Sequence, residues 1–127
     1  MSRRTHGARR RCLVLAPVLA AAAVPALAQG RGGGASAAEY EGWRQYMVNC
    51  ARCHGDDAVA GVTAPDLRTS VAKGRLDSAG FHAVVAGGRS GRGMPGFKDV
   101  LTDRQIAAIH AYVRARATGR LPAGRPR

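Results

Sequence analysis

The chain is predicted to fold as a small all-α domain of three to four helices, and three observations carry that reading. Tyr40, Trp43, Met47 and Cys50 recur at i, i+3, i+7 and i+10, one apolar stripe of an amphipathic helix. Thr102-Asp103-Arg104-Gln105 forms a capping box ahead of a second apolar face built from Ile106, Ile109 and Val113, with Tyr112 beside it. Nowhere do apolar and polar residues alternate as they would in half-buried strands. With 127 residues, 17 of them Gly and only two Phe, three Tyr and one Trp, the chain makes one small domain with appendages and cannot bury a large core unaided.

The appendages come first. Arg3, Arg4, Arg9, Arg10 and Arg11 form a basic start, an apolar run follows from Cys12 to Leu27, and Ala26-Leu27-Ala28 is an A-x-A pattern, so residues 1–28 read as a signal peptide cleaved after Ala28. Thr5 and His6 stand where a twin-arginine signal favours apolar residues, which points to general secretion. The apolar run holds Pro17 and Pro25 and is shorter than the roughly 20 residues a membrane-spanning helix needs, so no span is expected once the signal is removed. The formal charge of +12 suggests nucleic acid, but five of the 20 basic residues lie in this leader and none of the eight acids does. Of three cysteines, Cys12 leaves with the signal. Cys50 and Cys53 remain, with no disulfide framework to build.

Residues 29–37 have no apolar period and read as a flexible linker before a domain spanning 38–118. Glu39 and Glu41 suit the first helical turn, and Gly42 inside that helix is explained either by a second helix crossing close by or by tolerance near a fraying end. After His54 the chain is loop-like through Asp56, Gly61, Pro65 and Asp66. Ser78 then reads as the N-cap of a short helix with Phe81, Val84 and Val85, stopped at Gly87-Gly88. A glycine-dense loop carrying Met94 and Pro95 precedes the last helix. Residues 119–127 read as a disordered basic tail, which either keeps the chain soluble or steers it toward an acidic partner.

The chemistry is concentrated in Cys50-Ala51-Arg52-Cys53-His54-Gly55. Two thiols three positions apart can add to the two vinyl groups of one porphyrin while the adjacent imidazole reaches its iron, so the run reads as a covalent c-type haem site with His54 as one axial ligand. A redox dithiol and half of a zinc site are the competing readings of C-x-x-C. The first needs a βαβ setting and the second a further ligand cluster, and the sequence offers neither. For the other face of the iron the candidates are Met94, His82, His110, Met47 or an empty position. Met94 is favoured, because a methionine in a Gly/Pro loop has little to pack into and Pro95 stiffens its backbone.

These residues together resemble the class I monohaem cytochromes c. The resemblance covers about Glu39 to Ala117 and rests on Gly42-x-x-x-Tyr46, Cys50-x-x-Cys53-His54-Gly55, Ala64-Pro65-Asp66-Leu67, Gly93-Met94-Pro95-Gly96-Phe97 and Leu101-Thr102-Asp103. It implies helices wrapped around one covalently bound haem, with the N- and C-terminal helices crossing near Gly42. It implies His54 and Met94 as the iron's axial pair and a Pro65 carbonyl that orients His54. Ala64 departs from the glycine the family often has before that proline. The resemblance further implies a monomeric periplasmic electron carrier rather than an enzyme, since covalent haem attachment in bacteria takes place outside the cytoplasm. Its expected partners are redox proteins such as a quinoprotein alcohol dehydrogenase or a terminal oxidase, with no role for nucleic acid. The alternatives are a haem enzyme or gas sensor with an open distal site, and a non-haem dithiol module.

Overall fold

The computed structural model describes residues 34–127; the predicted signal peptide and the linker up to residue 33 lie outside the described residues. Five α-helices follow in order: α1 (Ala37–Asn49), α2 (Ala51–His54), α3 (Leu67–Ala72), α4 (Ser78–Gly87) and α5 (Asp103–Ala117), with short 3-10 turns at Asp56–Ala58 and Ser90–Arg92. Among the described residues there is no strand, only an isolated antiparallel bridge between Arg89 and Met94. The all-α class is as expected. The added helices are the single turn α2, which carries the haem motif, and α3, which the Pro65-Asp66 punctuation disguised as loop. Asp66 is in fact an N-cap, its carboxylate accepting from the Thr69 N–H at 2.9 Å.

Both long helices are capped at their start. Ser36 and Glu39 close a capping box on α1, so the helix begins inside the stretch whose composition suggests a linker. Thr102 and Gln105 close the expected box on α5. α4 starts one residue earlier in register than expected, with Asp77 rather than Ser78 as its cap, accepting from the Gly80 N–H at 2.7 Å.

The core forms where α1 crosses α5. A Cβ added at Gly42 would overlap the carbonyl of Ala108, so the two helix backbones meet there with no room for a side chain. One turn on, Tyr46 is wholly buried and its ring lies 5.3 Å from that of Tyr112. Ile106, Ile109 and Val113 complete the expected buried face of α5. The buried face of α1 therefore runs through Gly42 and Tyr46, not through the Tyr40, Trp43, Met47 stripe. Met47, which its place in that stripe would put in the core, is 38% exposed. Closest approach decides this: the face with the smallest residue lies nearest the partner helix.

The C-terminal segment is not the disordered tail its composition suggests. Leu121 is 2% exposed and its carbonyl accepts from Arg116 at 2.6 Å. The Gly124 N–H donates to Asp57, Arg125 donates to the Tyr40 hydroxyl and lies over the Tyr40 and Trp43 rings, and the Arg127 carbonyl accepts from Ala35. Arg120 pairs with Glu39. Thus Arg120 and Arg125, two of the charges expected to form a solvated basic tail, are committed to contacts within the fold, as is Arg116 near the end of α5.

The crossing makes a checkable demand. Helix propensity alone would make Gly42→Ala stabilising by about 1 kcal/mol, whereas overpacking against Ala108 costs about 1–3 kcal/mol. Thermal melts of the haem-loaded protein should therefore show the variant melting several degrees lower. A higher midpoint, the result of helix propensity acting alone, would mean that the helices do not meet there.

Candidate functional site

The two cysteines lie at a helix junction. Cys50 ends α1, its N–H bonded to the Tyr46 carbonyl at 2.8 Å, and its own carbonyl then takes the N–H groups of Cys53 and His54 at 3.1 and 2.9 Å. The motif is thus one tight turn hung from α1, ended by Gly55 at φ +74°. The wholly buried Tyr46 donates its hydroxyl proton to the Gly55 carbonyl at 2.7 Å, tying the end of the turn back to the helix before it. Both cysteines are free; Cys50 is half-buried and Cys53 exposed.

His54 is buried, with Nδ1 3.1 Å from the Pro65 carbonyl oxygen. A carbonyl can only accept, so this partner assigns the proton to Nδ1 and leaves Nε2 with its lone pair, the form in which an imidazole ligates a metal. The Pro65 carbonyl therefore stands where the resemblance implies, and Ala64 in place of glycine does not displace it.

Cys50 and His54 line one cleft together with Met94. Its walls are apolar, from Leu67, Leu76, Phe81, Val84 and Val85, and Arg89 and Arg92 are the charged residues beside Met94. The Met94 loop is fixed by backbone pairing: the Arg89 N–H donates to the Met94 carbonyl at 2.8 Å, and the Phe97 N–H to Val85 of α4 at 2.9 Å. A Cβ on Gly96 would sit 2.7 Å from the Ala86 carbonyl, so the glycine lets this loop lie flat on the end of α4. The other candidate ligands are elsewhere. His82 pairs with Asp103 at 2.9 Å, His110 stacks on Phe81 with centroids 5.0 Å apart, and Met47 is on the outer face of α1.

Burial, and then the neighbouring Cys53, pushes the Cys50 thiol up to about 12. Cys50 therefore keeps its proton near neutrality and does not supply the attacking thiolate of a redox dithiol. Among the described residues no three His, Cys, Asp or Glu are grouped to hold a metal ion, which leaves the zinc reading without its ligands. The donor set instead fits a flat apolar ring carrying iron: two neighbouring thiols, an imidazole with one nitrogen already oriented, a thioether, and aliphatic and aromatic walls.

Two residues beneath the motif escaped the sequence. Asp57 and Arg116 form an ion pair at 3.3 Å with Arg116 almost fully buried. The available signal was that Arg116 follows Val113 and Tyr112 by one turn, on the apolar face of α5.

A helical shell around such a cleft, with a C-x-x-C-H turn at its edge, defines a small c-type cytochrome domain. A family model described as cytochrome C oxidase, cbb3-type, subunit III matches residues 37–113, more than half of the chain, and the chain belongs to that cytochrome c family. Its cofactor is covalently bound haem c, and it is a c-type electron carrier. Among solved structures it is similar to the c-type cytochrome XoxG of Methylobacterium extorquens AM1, with a TM-score of 0.65 and 32% identity over 72% of this chain and 58% of that one. Among curated proteins it is 38% identical over 99 residues to cytochrome c-553I of Paracoccus denitrificans, covering 70% of this chain and 42% of that protein. It is also 38% identical over 76 residues to the quinohemoprotein alcohol dehydrogenase ADH-IIG of Pseudomonas putida, covering 60% of this chain. The chain spans only 10% of that dehydrogenase's length. Among the described residues no helix is long and apolar enough to cross a membrane.

The paired tyrosines give this site an alkaline limit. Burial pushes Tyr112 up to about 12 and Tyr46 higher still, above the ordinary value of 10.0. Between these values the unfolded chain has lost protons that the folded one keeps, so the stabilisation is complete below pH 10 and is lost as pH rises toward 12. Denaturant melts across that range should show a falling midpoint, with a shallower fall for Tyr112→Phe; an unchanged slope in that variant would contradict the assignment.

Proposed function

We propose that this chain is a periplasmic one-electron carrier in which Cys50 and Cys53 attach the haem, His54 is its proximal ligand and Met94 its distal one. When bound, the haem supplies a ferric/ferrous couple that exchanges one electron. The protein's own residues do the rest. The thiols fix the ring beside the imidazole, the Pro65 carbonyl holds the His54 ring in one orientation and raises its basicity, and the aliphatic walls keep water from the iron. A neutral thioether from Met94 favours the ferrous state and so raises the potential.

The observation that carries this reading is that, of the four side chains able to serve as a second axial ligand, Met94 alone shares the cleft with His54. A distal position occupied by the Met94 thioether would also favour outer-sphere electron transfer over the sensor or enzyme alternative, which needs an open one. The partner reading rests on similarity to part of a quinohemoprotein alcohol dehydrogenase: the chain takes electrons from a periplasmic dehydrogenase of quinoprotein type and passes them to a terminal acceptor. The periplasmic placement rests on the signal pattern in residues 1–28.

Substitution separates the two roles. Met94→Ala should keep haem covalently bound, remove the near-infrared sulfur-to-iron band of the ferric protein and lower the potential. Cys53→Ala should instead reduce the yield of attached haem. A Met94→Ala protein that retains both the band and its potential would overturn the ligand assignment.

A further inference from the structure

Three residues after His54 the backbone does something costly. Asp57 has φ 61° and ψ 18° and Ala58 has φ 60°, two consecutive non-glycine residues in the left-handed region. Such a conformation persists only where its surroundings over-determine it. Here the surroundings are specific. Ala58 is wholly buried, and the Asp57 carboxylate accepts from the Gly124 N–H at 2.8 Å and pairs with Arg116 at 3.3 Å. Arg116 uses its other terminal nitrogen on the Leu121 carbonyl at 2.6 Å, and the Leu121 side chain is buried in the core. The strained turn and the C-terminal segment thus hold each other.

The turn is the base of the loop that runs from Gly55 to Pro65, and that loop ends on His54. Its start is tied by Tyr46 to the Gly55 carbonyl, its middle lies against the Cys53 carbonyl at Gly61, where a Cβ would overlap it, and its end is the Pro65 carbonyl 3.1 Å from Nδ1. From this we propose that Asp57 is a positioning residue for the haem ligand: clamped by Arg116 and by the segment 119–127, it fixes the loop that carries Pro65 to His54. The proposal rests on His54 being the iron ligand.

Its test reads the imidazole directly in the full-length haem protein. Asp57→Gly removes the carboxylate while easing the backbone; Asp57→Asn keeps an acceptor oxygen and tolerates the left-handed turn. Solvent exchange of the His54 Nδ1 proton, followed by NMR in the ferrous state, should quicken by an order of magnitude or more in Asp57→Gly and in a chain ending at Thr118, and stay near the native rate in Asp57→Asn. The potential should move in the same two variants. If they lose thermal stability but keep the native exchange rate and potential, Asp57 is merely structural and the proposal fails. If the shortened chain does not fold, the two Asp57 variants decide. A native protein with no His54 signal shifted by the haem would instead defeat the ligand reading itself.

Discussion

The structure hangs on two helices that meet backbone to backbone at Gly42 and Ala108. α1 delivers the haem motif from its C-terminal end and α5 supplies more buried side chains than any other helix, so the angle and distance of that one contact place the cofactor turn relative to the core. Tyr46, one turn beyond Gly42, carries the contact forward: its ring packs on Tyr112 of α5 while its hydroxyl holds the Gly55 carbonyl. A methyl group at position 42 would be felt at the haem site through no more than these steps.

From that crossing the site is assembled by short-range devices. The C-x-x-C-H turn is held by the Cys50 carbonyl, His54 by the Pro65 carbonyl, and the Met94 loop by its backbone pairing to Arg89 and its seat on the end of α4. None of these asks much of side-chain packing. That suits a chain with six aromatic residues in 127, in which a bound haem ring takes up interior volume that large side chains would otherwise fill.

Much of this was legible because the informative residues are close together in sequence. Cys50, Cys53 and His54 declare their chemistry by spacing, Met94 by its unlikely loop, and α5 by its capping box and period. Pro65 was reachable only through the family resemblance, since nothing local marks a carbonyl that turns back on a histidine. The helical face of α1 was misread because apolar count favours Tyr40, Trp43 and Met47, whereas interhelical distance favours Gly42. The C-terminal strap was invisible for a different reason. Its anchoring bonds join residues 67 and 85 positions apart, from Gly124 to Asp57 and from Arg125 to Tyr40, and a Gly-, Pro- and Arg-rich segment carries no local period by which such pairings could be found.

In the ligation we propose, one iron sits between the imidazole of His54 and the thioether of Met94 in both oxidation states. X-ray absorption at the iron edge of the full-length haem protein tests it most directly. The account predicts nitrogen neighbours plus a single sulfur in the ferric and the ferrous forms alike, with little change in distances, as suits a carrier that exchanges electrons without exchanging ligands. An iron shell lacking sulfur, or one that loses a neighbour on reduction, would contradict it.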